Sequence, residues 1–214
     1  MMFELTDEQQ MIVDTVRTFT EKELMPHEDA VEKLGDVPAD LVAEIKRKSI
    51  EAGIYAANMP AELGGGGLDS LGVTLVDREF GATSYALQYI VARPSNILRA
   101  CKDEQIDEYL IPTIRGERVD CMAMSEPDAG SDVRGMKCSA VRDGDDYVIN
   151  GTKHFISHAD EAAFVILFAA TGEEETPRGK KKLITAFLID VEDRSALRRS
   201  FSMFQKEVLP NFVN

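Results

Sequence analysis

The hydrophobic pattern of this chain changes period near residue 118, and that change limits the possible folds more than any other feature. Before it, apolar residues recur every three or four positions, as on one face of a helix. Thr6-Asp-Glu-Gln9 reads as a capping box, with the Thr6 hydroxyl and the Gln9 amide each satisfying a free backbone N–H. Ile12, Val16 and Phe19 follow at helical spacing, and Pro26 marks a stop. A second helix is predicted after Pro38, with Leu41, Val42, Ile45 and Ala52 on one side and Gly53 at its boundary. Ser70–Phe80 makes a third through Leu71, Leu75 and Val76. Ala86–Ala100 makes a fourth, which Pro94 is expected to kink or break. Asp103–Arg115 makes a fifth, carrying Ile106, Tyr109 and Leu110, with Pro112 spoiling its last turn. The run Leu63-Gly-Gly-Gly-Gly-Leu68 suits either positive φ and close backbone approach or, more commonly, a flexible connector.

From Val119 the apolar runs are short and separated by turn residues. Val119–Met124, Met136–Val141, Tyr147–Ile149, His154–Ser157, Ala163–Ala170 and Leu183–Ile189 read as strands. Asp143-Gly-Asp-Asp146 is a hairpin signal, and Asn150-Gly151 is another. Helices followed by strands imply an α+β protein with separate domains, here 1–117 and 118–192.

The formal net charge of −14 repels phosphate backbones and anionic lipid, which argues against nucleic-acid and membrane partners. The basic cluster Arg178–Lys182 follows the acidic Glu173–Glu175, and the two together read as a solvated loop. Cys101, Cys121 and Cys138 lack CxxC spacing, so reduced thiols are expected, with no zinc site and no metal. None has a His at a spacing that suggests a nucleophile. The N-terminus carries no basic segment followed by an apolar one, and no apolar run is long enough to span a bilayer, so the expected location is the cytoplasm.

One stretch suggests chemistry. In Ser125-Glu-Pro-Asp-Ala-Gly-Ser-Asp132 a strand ends in a hydroxyl able to face a ligand, and Glu126-Pro127 stops it. Gly130 lets the backbone approach a bulky flat group, while Ser131 and Asp132 offer groups that can brace the loop. Residue types alone leave a cofactor seat and a decorated turn both open, with the plain turn the commoner meaning.

The spacing from Ala123 through Gly135 resembles the first signature of the acyl-CoA dehydrogenases at each constrained position. Tyr147-Val-Ile-Asn-Gly-Thr-Lys-His-Phe-Ile-Ser157 is similar to that family's second flavin-contacting segment. Pro60–Asp69 and Asp103–Pro112 resemble two landmarks of its helical domain, in the right order. The resemblance implies an N-terminal helical bundle, then a β-barrel or sandwich domain that is incomplete here, around FAD. It implies that Met124 and Ser125 contact the pyrimidine side of the flavin and that Phe155 stands against the ring. Ser157 then points at flavin N5, and Ser131 lies along the acyl-CoA pantetheine. Met122, where the family commonly has an aromatic residue, joins the cofactor-binding set.

The implied activity is oxidation of an acyl-CoA thioester at Cα–Cβ to the 2-enoyl-CoA. An electron-transfer flavoprotein is the implied electron acceptor, and a complete member is expected to be a homo-oligomer. No residue here matches the family's catalytic Glu, so no catalytic residue is assigned. His158-Ala-Asp160 departs from the polar and glycine residues often found there, and His154 and His158 read as hydrogen-bonded structural residues. Arg194–Phe204 neither alternates nor resembles the family, so 193–214 is expected to be an unrelated tail left by a frameshift or premature stop. Two other readings stay open: a non-catalytic flavin-binding remnant, and an acyl-CoA oxidase or flavin monooxygenase of the same fold.

Overall fold

The computed structural model describes residues 4–92, 94–177 and 179–191; Arg178 of the basic cluster and the expected tail at 193–214 lie outside the described residues. The chain divides into two compact units, Met1–Glu117 and Arg118–Asn214. The first is helical and the second is built on a sheet.

In the helical unit α1 (Asp7–Phe19) starts at the expected capping box: the Gln9 N–H donates to Thr6 Oγ1 at 3.2 Å, and the Thr6 N–H to Gln9 Oε1 at 3.1 Å. Its buried stripe is Val13, Val16 and Phe19. The helical path does not stop at Pro26. A π turn at Thr20–Leu24 leads into a 3-10 turn at Met25–His27 and then α2 (Glu28–Leu34), which ends on Gly35 at φ 73°. Pro26 is tolerated because it sits in the first turn of a new segment, where its missing N–H leaves nothing unsatisfied.

After Pro38 comes α3 (Ala39–Glu51), and α4 (Ser70–Phe80) is capped by Asp69, whose Oδ1 accepts from the Gly72 N–H at 2.7 Å. The fourth predicted helix is broken at Pro94 into α5 (Tyr85–Val91) and a 3-10 turn at Asn96–Ala100. In the fifth, a π turn at Ile106–Leu110 precedes α6 (Ile111–Ile114), which takes Pro112 in its first turn. The core of this unit joins Val16, Phe19, Leu24, Ile45, Ile54, Val76, Phe80 and Leu87. Arg17 on α1 donates to Glu79 on α4 at 2.9 Å, fixing the pairing of those two helices.

The glycine run is not a flexible connector. The N–H groups of Gly64, Gly65, Gly66, Gly67 and Leu68 donate in turn to the carbonyls of Ala61, Pro60, Ala56, Met59 and Ala57. A Cβ on Gly65 would lie 2.5 Å from the Met59 carbonyl oxygen, and one on Gly66 2.8 Å from Ala57 Cα. Backbone lies against backbone, and only hydrogen side chains leave room for it.

The second unit is a five-stranded sheet of β1 (Asp120–Ala123), β2 (Ser139–Asp143), β3 (Asp146–Asn150), β4 (Phe164–Thr176) and β5 (Gly179–Asp190). β4 organises it. β5 pairs antiparallel along nearly all of one side, so β1 and then β2 share the other, both parallel to β4. β2 and β3 form a hairpin through Gly144 at φ 65°, as the sequence predicts. Cys121, Ala123, Ala140, Val165, Leu167, Ala169 and Phe187 make the core on one face.

Three sequence expectations need correction here. Glu173–Glu175 and Lys180–Lys182 are not in a solvated loop: they lie in β4 and β5, with Glu173 opposite Lys182, Glu174 opposite Lys181 and Glu175 opposite Lys180. Opposite charges facing each other across an antiparallel pair are tolerated at an exposed hairpin end. His154–Ser157 is irregular chain running into a turn rather than a strand. Asn150-Gly151 makes no hairpin; Gly151 lets the chain cross Cys138, whose Cα would lie 2.6 Å from an added Cβ.

Replacing Gly65 by Ala is expected to destabilise the helical unit by about 2 kcal/mol or more, because backbone has to move to admit the methyl group. A urea titration followed by helical circular dichroism checks this, and an unchanged midpoint would contradict the packing described.

Candidate functional site

β1 ends at Ala123, where the paired register with β4 runs out, and the chain enters the motif loop. Met124 and Ser125 are half-buried, and Glu126 turns inward to only 7% exposure. Its carboxylate accepts from three donors: the Lys137 N–H at 2.6 Å, the Cys138 N–H at 3.0 Å and the Lys153 ammonium at 2.8 Å. A short backbone exchange between Glu126 and Ala129 closes the tight turn through Pro127-Asp128. At the far end Lys182 of β5 donates to the Met136 carbonyl at 2.6 Å. The loop is braced by Glu126, then, and not by Ser131 and Asp132 as the residue types alone suggest.

Lys153 is as deeply buried as its partner, at 5% exposure. Its ammonium bonds the Met124 carbonyl oxygen at 3.0 Å as well as Glu126. One residue on, the His154 N–H donates to the Ser125 carbonyl at 2.8 Å. These bonds draw the segment 151–157 against the end of β1, so positions some thirty residues apart in sequence become neighbours. Phe155 then projects into solvent at 81% exposure with φ at 55°, its ring stacked 3.5 Å from the His154 ring. Left-handed backbone at an aromatic residue costs about 1–3 kcal/mol and persists only where the surroundings enforce it. His158 repeats it at φ 59°, so Ser157 sits between two such residues.

The predicted site residues fall as follows. Met122 is on β1 with its side chain 45% exposed, opposite in direction to the buried Cys121 and Ala123. Met124, Ser125 and the Phe155 segment are brought together by the bonds just described. Ser157 is exposed in the turn that follows, and Ser131 is exposed at the bend beyond Ala129. The Ser125 N–H has no acceptor among the described residues, although the peptide groups around it are bonded. His158 lies 3.7 Å from Glu161, and its carbonyl accepts from Glu161 and Ala162, in keeping with a structural role. Cys121 and Cys138 are buried, and burial pushes the Cys101 thiol up to about 11, so the thiols are poor nucleophiles. Among the described residues no group of His, Cys, Asp or Glu could hold a metal ion, and no helix is long and apolar enough to cross a membrane.

Sequence reasoning missed Glu126 and Lys153 as a pair. Nothing in their spacing links them, since only the folding of β2 and β3 brings the second back to the first.

Comparison with known proteins places this arrangement. The profile described as acyl-CoA dehydrogenase, N-terminal domain, matches residues 6–117, and that of the middle domain matches residues 121–203. The chain belongs to the acyl-CoA dehydrogenase family. It is 34% identical over 197 residues to a probable acyl-CoA dehydrogenase, YngJ, of Bacillus subtilis (strain 168), covering 90% of this chain and 50% of that protein. It is 35% identical over 191 residues to the mitochondrial short-chain specific acyl-CoA dehydrogenase of Bos taurus, covering 87% of this chain and 44% of that one. A glutaryl-CoA dehydrogenase from Mycobacterium smegmatis, solved in complex with FADH2, superposes with a TM-score of 0.73 at 25% identity, over 88% of this chain and 46% of that one. The chain spans about half the length of the curated relatives it matches.

Burial raises the Glu126 carboxyl pKa, but the Lys153 bond and the two backbone N–H groups outweigh it and hold the group below its ordinary value. A carboxyl lowered on folding stabilises the fold above its unfolded pKa of about 4.3, and that contribution disappears as pH falls through the folded value. The β unit is therefore expected to lose stability progressively as pH falls below about 5, and Glu126→Gln is expected to flatten that slope while costing about 3 kcal/mol at neutral pH. Urea midpoints measured across this range check both statements.

Proposed function

We propose that this chain supplies flavin- and thioester-contacting residues for the FAD-dependent oxidation of an acyl-CoA at Cα–Cβ to the 2-enoyl-CoA. The observation that carries this reading is the juxtaposition of the Ser125 N–H, which has no acceptor among the described residues, with the segment that presents Phe155 and Ser157. These residues suit a planar heterocycle with polar edges. An exposed aromatic ring held at strained backbone offers a face, and the Ser125 N–H offers a donor to a carbonyl or imine nitrogen at the edge. FAD, when bound, supplies the two-electron acceptor for the hydride leaving the β carbon.

The chain's own residues then have separable tasks. Phe155, with Met122 and Met124, provides contact area and shields the ring face from water. The Ser125 N–H and hydroxyl serve the pyrimidine edge, where negative charge gathers on reduction, and the Ser157 hydroxyl serves N5. Ser131, exposed at the bend of the motif loop, lies along the pantetheine arm and aligns the thioester. Abstraction of the α proton is assigned to none of these residues. The acyl-CoA is the proposed substrate, and an electron-transfer flavoprotein is the proposed acceptor of the electrons.

FAD titrated into the 214-residue chain is expected to lose fluorescence saturably. Anaerobic addition of a panel of acyl-CoA thioesters to the complete enzyme is expected to bleach the visible flavin band. Absence of FAD binding would overturn the flavin assignment, and binding without bleaching by any thioester would overturn the dehydrogenation.

Phe155→Gly separates function from stability. Glycine adopts φ near 55° without strain, so the fold is expected to be unchanged or up to about 1 kcal/mol more stable. FAD affinity is expected to fall by about tenfold, because the ring contact is lost. Urea unfolding and fluorescence titration of the same variant check the two halves.

A further inference from the structure

We infer that Lys153 is a positioning residue that sets the strength of the Ser125 N–H as a donor, by polarising the peptide group to which that N–H belongs. The inference rests on the flavin reading above and adds to it a residue that touches no ligand.

Carbonyl and N–H of one trans peptide point in opposite directions. The Met124 carbonyl points inward to the Lys153 ammonium, 3.0 Å away, so the Ser125 N–H of the same peptide points away from the buried pair. It finds no acceptor among the described residues. The next carbonyl, that of Ser125, is held by the His154 N–H at 2.8 Å, so both sides of the residue are fixed. A cation on a carbonyl oxygen draws electron density through the conjugated amide and leaves its N–H more positive; hydrogen-bond chains strengthen one another in this way, most of all where water is excluded. Here the ammonium is buried, with its side chain 4% exposed. Charge-assisted bonds are about twice as strong as neutral ones, so the polarisation acts on a stiff group already aimed.

Glu126 opposes this effect. Its carboxylate lies 2.8 Å from the same ammonium and partly neutralises it, while the Lys137 and Cys138 N–H groups hold it in place. The two members of the pair therefore brace the loop together but act on the Ser125 N–H with opposite sign. A purely structural brace predicts otherwise: removing either member would loosen the loop and weaken the site in the same direction.

The difference can be read in FAD-loaded protein as the reduction potential of bound flavin, and in ligand-free protein as the 1H and 15N shifts of the Ser125 amide. Glu126→Gln keeps one acceptor oxygen, places an NH2 donor where the other oxygen accepted a backbone N–H, and leaves the ammonium less neutralised. It is expected to raise the potential and move the Ser125 proton downfield. Lys153→Met is expected to lower the potential, move that proton upfield and weaken FAD binding by about tenfold. The double variant Glu126→Gln with Lys153→Met removes the stranded buried carboxylate. It is expected to recover urea stability relative to Lys153→Met alone while keeping the lowered potential.

Shifts of the same sign in both single variants, or recovery of the potential along with stability in the double variant, would overturn the inference and leave the pair a brace. Wild-type protein that takes up no FAD would overturn the flavin reading as well. In that case the ligand-free amide shifts still report whether the peptide is polarised.

Discussion

The site depends on one buried carboxylate. Glu126 leaves the end of β1 pointing inward and binds two backbone N–H groups and an ammonium. A carboxylate taken out of water is tolerated only when its lone pairs are filled, and here charge and hydrogen bonding fill them together. Because its partners come from the two residues just before β2 and from the segment after β3, one residue ties three stretches of chain to a single point. The motif loop, the exposed Phe155 and the fixed Ser125 peptide all follow from that tie. The exposed Asp128–Lys137 pair nearby, at 2.6 Å, adds little, since water competes for both charges.

A second constraint comes from close backbone approach. The glycine run of the helical unit and Gly151 of the β unit both let the main chain pass within contact distance of another main chain. Two non-glycine residues at positive φ in the β unit have a different cause. Phe155 and His158 are held there by the bonds around them, and their backbone strain marks the stretch that presents Ser157. Strain in one stretch and satisfied bonding in the adjoining one is the expected character of a ligand-facing segment on a rigid support.

The sheet shows how one strand can organise a unit. β4 is long enough to pair with β5 on one side and with β1 and β2 in succession on the other. The gap between the last residue of β1 and the first of β2 is the motif loop itself. The loop is therefore the excursion the chain makes between two stations on the same strand edge, which is why a rigid sheet presents it.

Short-range pattern was enough for the α-then-β order, the capping box at Thr6, the Ser70–Phe80 helix, the break at Pro94 and the β2–β3 hairpin. These rest on periodicity and local backbone chemistry, which act within a few residues. The motifs at Ala123–Gly135 and Tyr147–Ser157 were legible as motifs. Tertiary structure decided how they are used. That Glu126 answers Lys153, that Asn150-Gly151 is a crossing and not a turn, and that Glu173–Glu175 and Lys180–Lys182 continue two strands all depend on the segments that arrive to meet them. Local propensity carries no record of such partners, because a charge run or a glycine has the same intrinsic preference whichever segment arrives to meet it.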